Sequence, residues 1–299
     1  MRRRMAAMMN ALTIDVEDFF QVGAFESVIS RSEWDSYPLR VDNNTLRILD
    51  ILDEFSVKGT FFVLGWVAER LPSLVQAIAS RGHEIACHGY GHELVFQIGP
   101  ERFRKDVQAA KALLEDITGS SVRGYRAPSY SITADSLWAH DILVESGFSY
   151  DSSIFPVYHD VYGIPDSPRF PHVLQTRAGA LWEFPMTTYP LSFAGKHANL
   201  PIAGGGYFRL LPVSWTCAAL KAVNEKEGMP VVFYLHPWEF DPEQPRVEGA
   251  GLKSRFRHYL NLDRTESRFR RLLAELPFTT MSEVLGSIAA TEELLREEV

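Results

Sequence analysis

The chain reads as an α/β protein on a parallel sheet, most simply a (β/α) barrel. Three observations predict this. Short apolar runs bounded by turn signals alternate with amphipathic helical patterns, the order that repeated βα units leave in a sequence. The composition is that of an ordinary globular chain, 299 residues with 46% hydrophobic and 23% charged, and the length suits one large domain or two smaller ones. Acids, histidines and an arginine recur where the apolar runs stop, and α/β barrels carry their chemistry on the loops after the strands.

The elements follow in order. ALTID (11–15) is a buried strand ending in acid. NNTLRILDILDEF (43–55) opens on an Asn cap and spaces Leu46, Leu49, Leu52 and Phe55 as a helix face. GTFFVLG (59–65) is a strand, and PSLVQAIASRG (72–82) is a helix with Pro at its start and Gly at its stop. HEIACH (83–88) is a strand. PERFRKDVQAAKALLEDITG (100–119) is a long helix turning Phe103, Val107, Ala110, Leu114 and Ile117 inward. A short strand in VRGYRAP precedes a helix at 133–147. LWEFP (181–185) and PVVFYLHP (230–237) are late strands with a helix near 212–227 between them, and helices at 264–276 and 281–290 close the chain. Segment 150–210 is rich in Pro, Gly and aromatics and largely lacks periodicity, which in a compact domain suggests a functional loop region. No linker or repeat interrupts the pattern. The expectation is a single domain over 1–299, with a core at about 11–240 and a helical extension at about 241–299.

A net charge of −8 leaves no basic footprint, so nucleic acid is not an expected partner. Cys87 and Cys217, far apart, form no disulfide framework and fit a reducing compartment. The N-terminus, MRRRMAAMMN, imitates a signal peptide but runs quickly into Asp15, Glu17 and Asp18. No apolar run is long enough for a transmembrane helix. The expected location is the cytoplasm, or a loose attachment at the inner membrane face.

The densest chemistry is HEIACHGYGHE (83–93), which holds three of the nine histidines. Gly89 and Gly91 separate His88 from His92, so a tight loop is expected rather than a long helix. Elsewhere at strand ends lie DVED (Asp15, Glu17, Asp18), Arg126 in RAPSY and His236 in LHPWE. Two histidines and a carboxylate with open positions make a catalytic site for Zn²⁺ or a similar ion.

In order and spacing, TIDVED (13–18), HGYGH (88–92), RAPS (126–129) and YLH (234–236) resemble the T-F-D-D, H-[ST]-x-x-H, R-x-P-Y and L-x-H motifs of the polysaccharide deacetylase family, the NodB-homology domain of carbohydrate esterase family four. TIDVEDFFQV, GYRAPSYSI, YDSSIFPVYHDVYGIPDSPRFP, PIAGGGYFRLLP and FYLHPWEFDPEQPR further resemble the subgroup encoded beside exosortase (PEP-CTERM) exopolysaccharide loci. The resemblance implies an irregular (β/α) barrel and hydrolysis of N-acetyl groups on an amino-sugar polymer or its lipid-linked precursor. It also implies a divalent metal, foremost Zn²⁺ with Co²⁺, Ni²⁺ or Mn²⁺ as alternatives, and peripheral contact with membrane-bound biosynthesis machinery. A sugar-binding protein without catalysis and a metal-independent cyclic-amide hydrolase are the competing readings. The base, ligand and acid set disfavours the first, and the intact His pair the second.

Residue by residue, the resemblance makes Asp15 the general base, His236 the general acid and Arg126 a bidentate partner that orients Asp15. His88 and His92 are metal ligands. The third ligand is Glu17 or Asp18: residues two apart share a side of a strand, which favours Glu17, whereas a turn after Val16 would present Asp18. Ser129 stands where the family has Tyr and would offer its backbone N–H to the oxyanion. Tyr130, Tyr207 and Trp238 are expected to contact substrate, with Phe155 as a further stacking candidate. His83 and Glu93 are candidate supports for the ligands, and Tyr158, His159 and Tyr162 a candidate lid. DSSIF (151–155) is the nearest match to the family's D-x-x-D-W motif.

Overall fold

In the computed structural model, residues 8–159, 162–193 and 196–297 are described. The basic residues that begin the signal-like stretch, 1–7, fall outside them.

Apolar runs without charge become buried parallel strands, because both faces are covered. β1 (Asn10–Val16), β2 (Thr60–Val63) and β3 (Glu84–Cys87) lead the sheet. Short β4 (Gly124–Tyr125) and β5 (Tyr150–Asp151) follow, then β6 (His172–Gln175) and β7 (Ala180–Glu183). A separate hairpin is formed by β8 (Thr188–Phe193) and β9 (Lys196–Pro201). β10 (Val232–Leu235) and β11 (Phe278–Thr279) complete the strands. The order is β10-β1-β2-β3-β4-β5-β7-β6, parallel from β10 to β7, with β6 antiparallel at one end and β11 off the path beside β1. The path is open, so the expected barrel is a curled half-barrel, an irregular member of the predicted class.

Helices α1 (Val41–Phe55), α2 (Gly65–Arg70), α3 (Pro72–Ser80), α4 (Val95–Thr118) and α5 (Trp138–Glu145) alternate with the first strands. α6 (Gly205–Leu210) and α7 (Val213–Ala222) precede β10, and α8 (Leu252–Tyr259), α9 (Thr265–Glu275) and α10 (Met281–Glu297) follow it. Two helices differ from the sequence reading. α1 buries Ile48, Leu49, Ile51 and Leu52, whereas Leu46 is exposed, because the buried stripe is rotated from the one chosen by leucines alone. α4 begins earlier than residue 100, but its backbone breaks at Gly99, so Pro100 does start its long straight part. Segment 150–210 holds β5 to β9, with a loop of irregular backbone over the described residues between Asp151 and His172. Its strands are short, which leaves little periodicity to read.

The glycines of PIAGGGYFR have a specific purpose. Gly204 lies at φ 136° and bridges to Tyr234 on β10, and a Cβ there would sit 1.8 Å from the Tyr234 carbonyl oxygen. Backbone contact this close, two residues from His236, is open only to glycine.

Candidate active site

Parallel strands side by side put their C-terminal ends on one rim. Asp15 lies near the end of β1, with Glu17 and Asp18 just beyond. The two acids after Val16 go different ways. Asp18 turns back: its Oδ1 accepts the Phe19 N–H at 2.8 Å, and its Oδ2 accepts the Arg40 and Val41 N–H groups at 2.7 and 2.9 Å. It thus holds the N-terminus of α1, where a carboxylate is favoured by the dipole, and it is not placed with the histidines. Glu17 faces them, with Oε2 2.8 Å from His92 Nε2 and Oε1 3.1 Å from His236 Nε2.

His88 follows β3 directly. Its Nδ1 donates to the Arg126 carbonyl at 2.8 Å, which leaves Nε2 as an acceptor. Burial pushes its pKa down to about 3, so the ring stays neutral, as a metal ligand must be. The Gly89–Gly91 turn is held by Asp106, whose carboxylate accepts the Tyr90 N–H at 2.8 Å and the Gly91 N–H at 3.3 Å. It delivers His92 in the left-handed region at φ 52°, a loop as its glycines implied. Ligand atoms of Glu17, His88 and His92 all lie within 4.8 Å of one another. Glu17 Oε2 is buried, with His92 Nε2 as its close neighbour at 2.8 Å. Burial raises the Glu17 pKa, but His92, His236 and His88 outweigh it and hold it below the usual range. Two imidazoles and a carboxylate buried side by side fit a divalent cation of zinc type.

Asp15 stands beside this cluster. Arg126, fully buried over the ring of Phe62, gives Nη1 to Asp15 Oδ1 at 2.6 Å and to Thr13 Oγ1 at 2.8 Å. The expected bidentate pair is replaced by this single contact. Nε and Nη2 are engaged by Ser152, at 3.2 Å to its carbonyl and 3.0 Å to its hydroxyl. Asp15 Oδ2 remains turned toward His236, 4.0 Å from its Nε2.

His236 follows β10. Its Nδ1 lies 2.7 Å from Glu239 Oε1, and Glu239 Oε2 takes Nε of the buried Arg209 at 2.6 Å. Burial opposes the imidazolium, but the Glu239 hydrogen bond and the charges of Glu17, Glu239 and Asp15 push its pKa up to about 9. Trp238 stacks on His236 and, at 4.1 Å, on His258.

A cavity of about 160 Å³ joins Asp15, Glu17, His88, His92, Ser129, Tyr130, His236 and Trp238. Ser129 and Tyr130 both sit at positive φ, 52° and 54°, a strained turn that sets the Ser129 backbone at the cavity wall. Tyr207 lines an adjoining cavity of about 300 Å³ with Tyr162, Trp238 and Phe256. Phe155 is buried in a core cluster. His83 and Glu93 support other parts of the fold: His83 Nδ1 accepts the Gly59 N–H, and Glu93 pairs with Arg102. Cys87 is a buried core residue. Tyr158 is almost wholly exposed, and His159 and Tyr162 stack on each other.

Sequence reasoning missed Glu239, Arg209 and Ser152. Glu239 had a local signal, three residues after His236 with Pro between, the spacing of a capping box. Arg209 lies thirty positions from its partner, and no local pattern links them.

Comparison with known proteins now bears on this geometry. The family model for polysaccharide deacetylase matches residues 32–143, and one described as a domain of unknown function (DUF3473) matches residues 152–286. A peptidoglycan deacetylase-like protein of Gibberella zeae is 37% identical over 36% of this chain and 32% of its own length. A peptidoglycan-N-acetylglucosamine deacetylase of Bacillus cereus is 34% identical over 32% of this chain and 35% of its own. The matched segments thus span about a third of these relatives. A solved structure provisionally described as a polysaccharide deacetylase of Mycobacterium smegmatis superposes with a TM-score of 0.63 at 23% identity, covering 98% of this chain and 94% of that one. At that identity the likeness speaks for the fold.

Proposed function

The chain belongs to the polysaccharide deacetylase family, and on that premise we propose that it is a metal-dependent hydrolase removing N-acetyl groups from amino sugars of a polysaccharide or its lipid-linked precursor, in exopolysaccharide biosynthesis. One observation carries the reading. The Asp15–Arg126 pair, the Glu17–His88–His92 cluster and the Glu239-backed His236 meet in one cavity. That is a base, a cation site and an acid within reach of one substrate group.

A divalent cation held by Glu17, His88 and His92 would supply Lewis-acid polarisation of the acetyl carbonyl and acidify the attacking water. Asp15 takes the proton of that water on Oδ2, because Arg126 fixes Oδ1 and so fixes the direction of the other oxygen. His236, held at Nδ1 by Glu239, carries its proton on Nε2 and gives it to the departing amine. The Ser129 backbone offers a preorganised donor near the oxygen that becomes negative. Trp238 and Tyr207 supply flat faces for sugar rings, and Tyr130 shapes the cavity wall.

The test is acetate release from a panel of N-acetylated sugar oligomers and lipid-linked oligosaccharides, with Zn²⁺, Co²⁺, Ni²⁺ or Mn²⁺ and with chelator. Release that requires metal supports the reading. Sugar binding without release would replace it by a binding protein.

A further inference from the structure

A second cluster of His140, Asp151 and Glu183 lies away from the cavity just described. Asp151 on β5 and Glu183 on β7 are partners in register, so both carboxylates leave the sheet on the same face, and α5 lowers His140 onto them. Asp151 and Glu183 are fully buried, and His140 is 5% exposed. His140 Nε2 is 3.3 Å from Asp151 Oδ2 and 4.0 Å from Glu183 Oε2, and one ligand atom from each residue falls within 4.8 Å of the others.

The outer oxygens are accounted for. Asp151 Oδ1 accepts the Ser153 hydroxyl at 2.5 Å, and Glu183 Oε1 accepts the Ile154 N–H at 3.0 Å. The three inner atoms are not: His140 Nε2, Asp151 Oδ2 and Glu183 Oε2 are buried with no hydrogen-bond partner among the described residues. His140 Nε2 stands 3.3 Å from Asp151 Oδ2, and the Asp151 and Glu183 carboxylates are close enough to share a proton. All three atoms nevertheless lie within 4.8 Å of one another, a spacing that lets one cation reach an atom of each residue. Two buried carboxylates face to face also need positive charge. Burial and the Asp151 charge hold the Glu183 pKa well above its ordinary value. A proton on one carboxylate and an imidazolium would neutralise the cluster, and a dication with a neutral imidazole does so equally well while using all three inner atoms.

We propose that His140, Asp151 and Glu183 form a second divalent-cation site of zinc type, with three protein ligands and its fourth position toward solvent. His140 and Ile154 border a cleft of about 590 Å³, which Asp151 and Glu183 do not reach. The residues between the clusters give it a purpose. Ser153 takes the Ala127 N–H at 2.8 Å and Ser152 holds Arg126, so a cation on Asp151 would stiffen the strand end that positions Arg126.

The test is Zn²⁺ stoichiometry by elemental analysis on the full chain, saturated and then desalted. Wild type should hold two equivalents, His88→Ala one, Glu183→Gln one, and the double variant none. Glu183→Gln is isosteric, and circular dichroism checks its fold. A second measurement uses metal-stripped His88→Ala, whose melting temperature should rise as Zn²⁺ is titrated in, because an ion that binds only the folded state stabilises it. A wild type that keeps its full zinc content after Glu183→Gln overturns the proposal. So does a His88→Ala protein that binds no zinc and melts unchanged, which would mean a shared proton occupies the cluster. Failure of the first site alone would leave wild type with one equivalent that is lost in Glu183→Gln and kept in His88→Ala, so the two sites are judged separately.

Discussion

Asp15 and His236 occupy the same step of two adjacent parallel strands. Ile14 pairs with Leu235, the residue after each, Asp15 within β1 and His236 just past β10, lines the cavity, and Asp15 Oδ2 stands 4.0 Å from His236 Nε2. The proposed base and acid are thus set across one backbone register. Asp15→Asn and His236→Ala should each lower kcat by about 10²–10⁴-fold while leaving bound metal and sugar affinity near wild type. Together they should lose less than the product of the two, since groups acting in one reaction are not additive. Kinetics beside metal analysis on the three variants checks this, and full turnover in either single variant would remove that residue from the chemistry.

Glu17 and Asp18 differ in surroundings despite their adjacency. Glu17→Gln should lose the metal. Asp18→Asn should keep it but lower stability by about 1–3 kcal/mol, because one face of the new amide presents an NH₂ to a backbone N–H. Metal content and urea unfolding separate the two, and the reverse pattern would make Asp18 the ligand.

In the proposed mechanism Glu239 sets the alkaline limit. A His236 pKa raised to about 9 keeps the acid protonated below that pH and removes it as pH rises through that value. Glu239→Gln takes away a partner that favours the imidazolium, so the alkaline limb of kcat should move down by roughly one to three pH units. A limb that stays in place would show that another group donates the proton.

Gly204 tests the backbone contact beneath His236. Gly204→Ala places a methyl against the Tyr234 carbonyl at a φ that L residues avoid. It should cost about 3 kcal/mol and displace His236, lowering kcat as well as the melting temperature. A variant as stable as wild type would mean the loop has another accommodation.

Much of this was legible because the signals are local. Strands β1, β2, β3 and β10 are uncharged apolar runs over most of their length, and His88 and His236 follow β3 and β10 directly. What escaped depends on distant partners. The single Arg126–Asp15 contact follows from Ser152 competing for the guanidinium. The half-barrel follows from pairings of strands only two residues long, β4 and β5, which no periodicity can announce. His140 carries no local signal, because its neighbours Asp151 and Glu183 come from other elements and meet only through strand register.

The claim of metal-dependent deacetylation is tested most directly by acetate release from an N-acetylated amino-sugar oligomer, using protein stripped of metal and then supplied with excess Zn²⁺. The account predicts no release from stripped protein, release on adding Zn²⁺, and none from His88→Ala under the same conditions. Release undiminished by stripping, or equal in His88→Ala, would contradict it.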